Sequence, residues 1–266
     1  MELTHKEGVA GPEPPQETII SIQYASGGKI LKVDLSSNII TEIDTLPYVD
    51  RILGGRGIAT RLYWENVPAT TRAFDPENHL IFMTGPITAT GAQGASRYSV
   101  IGKSPMLMPE GFCYGNLGGY WGASLKRAGF DGLMVTGKAE SPVYLLVSDG
   151  GTTIEDASGI HLEGVKKVEA FLHQTHGKKT HFITTGPAGM NLCRNANLMT
   201  DNEGSATGGF GAVLGSKKLK AIAVIGTQAP RVNDPAALKE LNRLTIQLNK
   251  RDTSFNPYPP DQISRK

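Results

Sequence analysis

Thiols are almost missing from this chain. Cys113 and Cys193 are its two cysteines. They form no C-x-x-C pair, and an iron–sulfur cluster needs about four thiolates, so the sequence cannot ligate one alone. So few cysteines also exclude a disulfide framework and fit a reducing, cytoplasmic setting. Histidine is sparse too. The six histidines show no H-E-x-x-H or comparable metal spacing. His173 and His176, three apart on a predicted helix, suit solvated surface or a pair on one face. An excess of charge is also lacking: 27 basic residues against 25 acidic leave +2, too even for a nucleic-acid footprint. No run approaches the ~20 apolar residues of a membrane span. MELTHKEGVAGPEPPQETI at the start has no signal-peptide core. No Ser-His-Asp or Cys-His arrangement and no carboxylate pair stands out.

Glycine, by contrast, is abundant at 32 residues, and much of it falls in a phrase written twice. IFMTGP at 81–86 matches FITTGP at 182–187. GGYWGASLKRAGFDGLMV at 118–135 matches GGFGAVLGSKKLKAIAV at 208–224. A weaker echo pairs KILKVDLSSNIITEID (29–44) with VYLLVSDGGTTIEDAS (143–158). Each copy runs strand, Thr-Gly-Pro turn, irregular loop, glycine pair, aromatic, glycine, short helix, apolar strand. This order predicts an α+β fold: a β-rich, internally duplicated, pseudo-two-fold domain with two similar pockets. A ligand that is itself double would suit it.

Along the chain, residues 1–18 are expected to form a flexible N-terminal tail. A duplicated base domain spans 19–230, and a C-terminal helix and polar tail occupy 231–266. IISIQY and the 29–44 segment alternate like hairpins. VDRILGGRGIATRLYWENV changes to a helical period with Gly54, Gly55 and Gly57 near its start. Residues 87–117 are predicted to be long and irregular around a strand-like RYSVIGKSP. GVKKVEAFLHQTH is an amphipathic helix, and Asn233-Asp234-Pro235 caps AALKELNRLTIQLNK.

The loops Asn116-Leu117-Gly118-Gly119 and Gly204-Ser205-Ala206-Thr207-Gly208-Gly209 could let a phosphate-bearing ligand approach the backbone ahead of a helix. They are neither G-x-G-x-x-G nor a Walker loop, and glycines that only allow tight helix–sheet packing fit the spacing equally well. Arg97 in GASRYSV could reach a phosphate with its planar fork or join a surface ion pair. Tyr120, Trp121 and Phe210 suit core or pocket wall better than stacking platforms. Cys113 suits a small buried apolar role.

Taken in order, LGGRG, DPENHLIFMTGPITATGAQGASRYSVIGKSP, NLGGYWGASLKRAGFDGLMVTGKAESPVYL, TTGPAGMN and GFGAVLGSKKLKAIAVIGT resemble the N-terminal domain of the aldehyde ferredoxin oxidoreductases over about residues 25–245. The resemblance implies a base on which a tungsten- or molybdenum-bis-pterin cofactor rests, one pterin per loop. The implied cofactor-binding residues are Arg97, Asn116, Leu117, Gly118, Gly119, Gly204, Ser205, Thr207, Gly208 and Gly209. Backbone carbonyls of Asn116 and Gly204 would hold a phosphate-bridging magnesium. It implies no catalytic residue in this stretch, since the metal–pterin centre does the chemistry. The cluster cysteines, as C-x-x-C-x-x-x-C, and the substrate channel would come from further helical domains or a partner chain. That pattern does not occur in these 266 residues. A [4Fe-4S] cluster and ferredoxin would enter only through the assembled enzyme, and a homo-oligomer is compatible. The second loop departs from the family's H-R-A-A-G-R-G-G: Glu203 and Thr207 stand where arginines would meet phosphates, with Lys217 and Lys218 as candidate replacements. A non-catalytic pterin-binding or interaction module retaining the base fold is the alternative.

Overall fold

The structure, a computed structural model, describes residues 27–251. IISIQY and the tail ends of the chain lie outside the described residues. Two six-stranded mixed sheets form the domain, with helices on and between them.

The first sheet is built from β1 (Lys29–Asp34), β2 (Ile39–Asp44), β3 (Leu80–Met83), β4 (Tyr98–Ser104), β5 (Gly111–Leu117) and β6 (Gly132–Thr136), in the order β2-β1-β6-β3-β4-β5. The second uses β7 (Val143–Ser148), β8 (Gly151–Asp156), β9 (His181–Thr184), β10 (Leu198–Thr200), β11 (Ser205–Ala206) and β12 (Leu219–Ile225). Its order is β8-β7-β12-β9-β10-β11, the same pattern moved on by one half. Strand directions agree as well. β1 pairs antiparallel with β2 and parallel with β6, and β7 does the same with β8 and β12. The duplication predicted from the phrases is thus a duplication of topology.

Helices follow the same plan. α1 (Leu46–Ile52) and α2 (Gly55–Asn66) lie between β2 and β3, and α4 (Val165–His176) takes that place between β8 and β9. α2 buries Ile58, Ala59, Leu62 and Tyr63 against the outward residues Ile30, Ile81, Met83, Ile101 and Met134 of the first sheet. α4 buries Val168 and Leu172 against Tyr144, Phe182, Ala221 and Ala223 of the second. The period-two alternation of the strands therefore sends one set outward to a helix and the other inward.

The inward sets share one core. Leu31, Val33, Phe82 and Leu133 of the first sheet meet Leu145, Ile183, Ile222 and Val224 of the second. Two short helices fill this layer: α3 (Trp121–Arg127) and α6 (Phe210–Ser216), both led by an aromatic that is 0% exposed. α3 reaches across the seam. The Trp121 indole donates to Ile222 O at 2.9 Å, and the Ser124 hydroxyl donates to Val224 O at 3.3 Å. In return Ser104 Oγ donates to Gly208 O at 2.8 Å. Each half grips the other, the reciprocity expected of a two-fold arrangement.

Several local expectations needed correcting. GFCYGNL, placed in an irregular stretch, is a seven-residue edge strand paired with β4 from Ser104–Gly111 to Tyr98–Leu117. Its two glycines and lack of a clean apolar alternation concealed it. The helical segment after residue 46 is two helices, broken where Leu53, Gly54 and Gly55 all take positive φ. The cap before the last helix, α7 (Pro235–Arg251), holds: Ala237 N–H donates to Asp234 Oδ1 at 2.8 Å. Short α5 (Pro187–Met190) continues the second Thr-Gly-Pro turn. Among the described residues, no helix is long and apolar enough to cross a membrane.

Candidate functional site

Strand register fixes which residues correspond between the halves. Leu133 faces Leu31 and Phe82, while Ile222 faces Leu145 and Ile183. Counting back from that pair without a gap, Trp121 corresponds to Phe210, Gly119 to Gly208, and Gly118 to Thr207. Both Gly119 (φ 85°) and Gly208 (φ 98°) take the left-handed turn that leads into the helix. The edge strands agree, since Tyr98–Leu117 matches Leu198–Ala206. Asn116 is then the counterpart of Ser205, and Arg97 the counterpart of Asn197. The written glycine pairs are out of register by one residue, because Tyr120 occupies the place of Gly209.

The two loops meet at the seam. The Thr200 hydroxyl lies 2.9 Å from Asp201 O and 3.4 Å from Gly118 O. A Cβ built on Gly119 would sit 2.8 Å from Asp201 O, and one on Gly115 would sit 3.1 Å from Ala206 Cβ. β5 and β11 therefore run side by side, and the loop backbones that follow them face the same way.

The choice between packing and ligand approach divides by residue. A Cβ on Gly209 would strike Arg194 O at 2.3 Å, one on Gly204 would strike Thr200 Oγ1 at 2.4 Å, and one on Gly208 would strike the Phe210 ring at 2.7 Å. These glycines, like Gly119, are needed for packing. A Cβ built on Gly118 would find open space up to the Cζ and Nε of Arg97, each 4.0 Å from it. The exposed Arg97 guanidinium thus lies beside the open Gly118 backbone, and among the described residues no carboxylate pairs with it.

The other predicted residues fall as follows. Asn116 is exposed, its Oδ1 accepting from Ser99 Oγ at 3.2 Å. Leu117 is fully buried, so only its backbone can meet a ligand. Ser205 and Thr207 are exposed. Gly204 O accepts the Thr200 N–H at 2.8 Å, and the Gly211 N–H at the start of α6 is used by Ala196 O at 2.9 Å.

Lys217 and Lys218 do not stand in for the missing arginines. Lys217 is buried, its Nζ donating to Pro76 O at 2.9 Å and Gly137 O at 3.2 Å. Burial pushes its pKa down to about 7, with the charges of Glu77 and Asp34 opposing. Lys218 Nζ donates to Glu140 O. Both turn away from the second loop.

Of the core or pocket-wall roles expected for the three aromatics, Tyr120 does not take the core one. Trp121 and Phe210 are core, but Tyr120 is 59% exposed, its ring 5.4 Å from that of His181. His181 and Asp201 were not singled out from sequence. No motif marks them, because they become neighbours only when β9 pairs with β10. His173 and His176 bond protein groups, Thr180 O and the Tyr144 hydroxyl. Cys113 packs at the core edge and Cys193 is exposed. Among the described residues, no group of three or more His, Cys, Asp and Glu side chains could hold a metal ion.

The described residues thus form a duplicated two-sheet domain with paired backbone loops and an arginine beside one of them. The family model for the aldehyde ferredoxin oxidoreductase N-terminal domain matches residues 30–226. The tungsten-containing aldehyde ferredoxin oxidoreductase of Pyrococcus furiosus is 41% identical over 79% of this chain and 35% of its own length. The WOR-like subunit of an aliphatic sulfonate oxidoreductase from the same organism is 34% identical over 83% of this chain and 38% of that protein. In structure, the active-site complex BamBC of benzoyl coenzyme A reductase, in complex with 1,5-dienoyl-CoA, aligns at TM-score 0.82 and 30% identity. That alignment covers 89% of this chain and 37% of the other. The chain belongs to the aldehyde ferredoxin oxidoreductase family and corresponds to its N-terminal domain. It spans about a third of the length of the curated relatives it matches.

Proposed function

We propose that this chain is the cofactor base of a tungsten- or molybdenum-pterin oxidoreductase. The observation that carries the reading is the exposed Arg97 guanidinium beside the open Gly118 backbone, with no carboxylate paired to it among the described residues. A cation and a bare peptide edge together suit a phosphate, where each charge-assisted hydrogen bond contributes about 1.5–3 kcal/mol. Arg97, Gly118 and the Asn116 carbonyl would hold one pterin phosphate. Ser205, Thr207 and Gly208 would hold the other. Strand register equates Asn116 with Ser205, so a magnesium ion held by the Asn116 carbonyl would find the carbonyls of Ser205 and of its neighbour Gly204, which also accepts from Thr200 N–H, on the opposite loop.

When bound, the metal–pterin centre supplies oxidation of an aldehyde with water to a carboxylic acid, two electrons leaving through a [4Fe-4S] cluster to ferredoxin. This chain's residues bind and orient. The cluster and the substrate channel belong to a further domain or a partner in the cytoplasm. Phe112 and Tyr114, 44% and 47% exposed on the same strand face as Asn116, give such a partner an apolar surface to cover.

A second reading, a non-catalytic pterin-binding module, is favoured by one observation: Lys217 and Lys218 supply no charge to the second loop. Metal and pterin content decides between them. The chain expressed with a polypeptide carrying the cluster cysteines, in a host that makes tungstopterin, should copurify with tungsten and two pterins. Absence of pterin from that complex would sink the first reading, and pterin without metal would select the second.

A further inference from the structure

Three departures from internal symmetry fall on one spot. Register pairs Leu80 with Val135 and His181 with Val224, so His181 stands where the first half has the fully buried Leu80. Asp201 follows Thr200, the counterpart of Val100, and so takes the place of the fully buried Ile101. Tyr120 takes the place of Gly209. These three residues are neighbours. His181 Nδ1 donates to Asp201 Oδ2, and the Tyr120 ring centre is 5.4 Å from the imidazole.

The pair is costly as mere structure. The Asp201 side chain is 9% exposed, and its second oxygen, Oδ1, is buried with no hydrogen-bond partner among the described residues. A buried, half-satisfied carboxylate in place of an isoleucine weakens a core. Departures of this kind from a locally consistent sequence concentrate at functional sites. What the pair achieves is visible at its outer end. Asp201 holds the imidazole by Nδ1, so Nε2 is the ring nitrogen left over on a side chain that is 28% exposed as a whole. The held imidazole in turn packs against the Tyr120 ring at an interplanar angle of 46°.

We propose that Tyr120, positioned by His181 and Asp201, is a platform for a planar, hydrogen-bonding heteroaromatic ring, with His181 Nε2 meeting a polar atom on the ring's edge. The second loop, with Gly209 at this position, has no such platform, so the two loops bind unequally. The ring's identity as a pterin rests on the function proposed above. The platform itself rests on the geometry of these three residues.

The test titrates the full 266-residue chain with 6-hydroxymethylpterin, and in parallel with riboflavin. Ring fluorescence and the His181 imidazole resonances are followed. Tyr120→Ala should weaken binding about tenfold, the loss expected when a stacking aromatic is removed from under a ring. Tyr120→Phe should stay close to wild type, while His181→Gln and Asp201→Asn should weaken binding about threefold by loosening the platform. In the wild type, the His181 resonances should move on ligand addition, a readout that holds even where an Asp201 variant fails to fold. Pterin binding that ignores Tyr120→Ala and leaves His181 unmoved overturns the platform and spares the pterin reading. Riboflavin binding lost in Tyr120→Ala, with no pterin binding, keeps the platform and removes the pterin reading. Binding of neither ring overturns both.

Discussion

The first half places an aspartate, Asp131, where the second half places a lysine, Lys220, and both side chains are buried, Asp131 just before β6 and Lys220 at the register shift near the start of β12. Asp131 accepts from Gly27 N, Gly28 N, Thr45 Oγ1 and Lys126 Nζ. Lys220 Nζ instead donates to Thr185 O at 2.7 Å and Glu163 O at 2.8 Å. The backbone task is the same in both: Asp131 O receives the Thr84 N–H, and Lys220 O the Thr185 N–H. Topology survived duplication while the buried charge changed sign. A sheet order is held by backbone pairing and apolar alternation, so side-chain chemistry at a shared position is free to diverge if its partners change with it.

That comparison can be broken most sharply at Asp131. Asp131→Ala leaves the Lys126 ammonium, 2% exposed, without its carboxylate. It should cost about 3–5 kcal/mol in urea denaturation, as expected for one partner removed from a buried pair. A change under about 1 kcal/mol would mean the two halves depend little on their buried ions. The two loops come next. Arg97→Ala should weaken pyrophosphate binding by about 1.5–3 kcal/mol, whereas Asn197→Ala, at the corresponding position, should leave it unchanged by calorimetry. Equal effects would remove the asymmetry argued for the site.

The third test concerns Lys217, which replaces the first half's Ala128. Its folded pKa, about 7, lies below its ordinary value of 10.5. Between those values the unfolded chain binds the extra proton, so stability rises with pH across that window and is lost as pH falls back toward 7. The slope contributed is at most about 1.4 kcal/mol per pH unit. Lys217→Ala should flatten the rise in denaturation midpoints from pH 7.5 to 9.5. An unchanged slope would show that Lys217 keeps its proton on folding. The smallest effect is backbone strain. Gly129 (φ 95°) corresponds to Lys218 (φ 54°), and a side chain in the left-handed region costs about 1–2 kcal/mol. Lys218→Gly should therefore stabilise the protein by about 0.5–1 kcal/mol, net of the entropy glycine adds to the unfolded chain. Destabilisation would mean that the Lys218 bond to Glu140 O outweighs the strain.

Much of the fold was legible in advance. Alternation marked the β1–β2 and β7–β8 hairpins, Thr-Gly-Pro marked the ends of β3 and β9, and the repeated phrase marked the internal duplication. Helix α7 was announced by Asp234 and Pro235. The edge strand β5 was not legible, because its glycines read as turn residues, whereas Gly115 is there to admit neighbours rather than to turn the chain. A Cβ on Gly115 would meet Ala206 and Val100. At the site, the loops and Arg97 were visible as a pattern. The seam residues His181 and Asp201 were not, since twenty positions separate them and no local motif joins them.

The sequence by itself determined that this domain is written twice, that each copy carries a glycine loop before a short aromatic-led helix, and that the chain has too few thiols to hold a cluster. These follow from composition and period, which are local. Tertiary structure alone decided which glycine is open and which are packed, that Gly119 rather than Gly118 corresponds to Gly208, that Lys217 and Lys218 turn away, and that Tyr120 is held in the open by His181 and Asp201. Each of those depends on what lies across the seam between two sheets. The partners there are set by strand register and by the reach of α3 into the other half, and no window of sequence contains both sides.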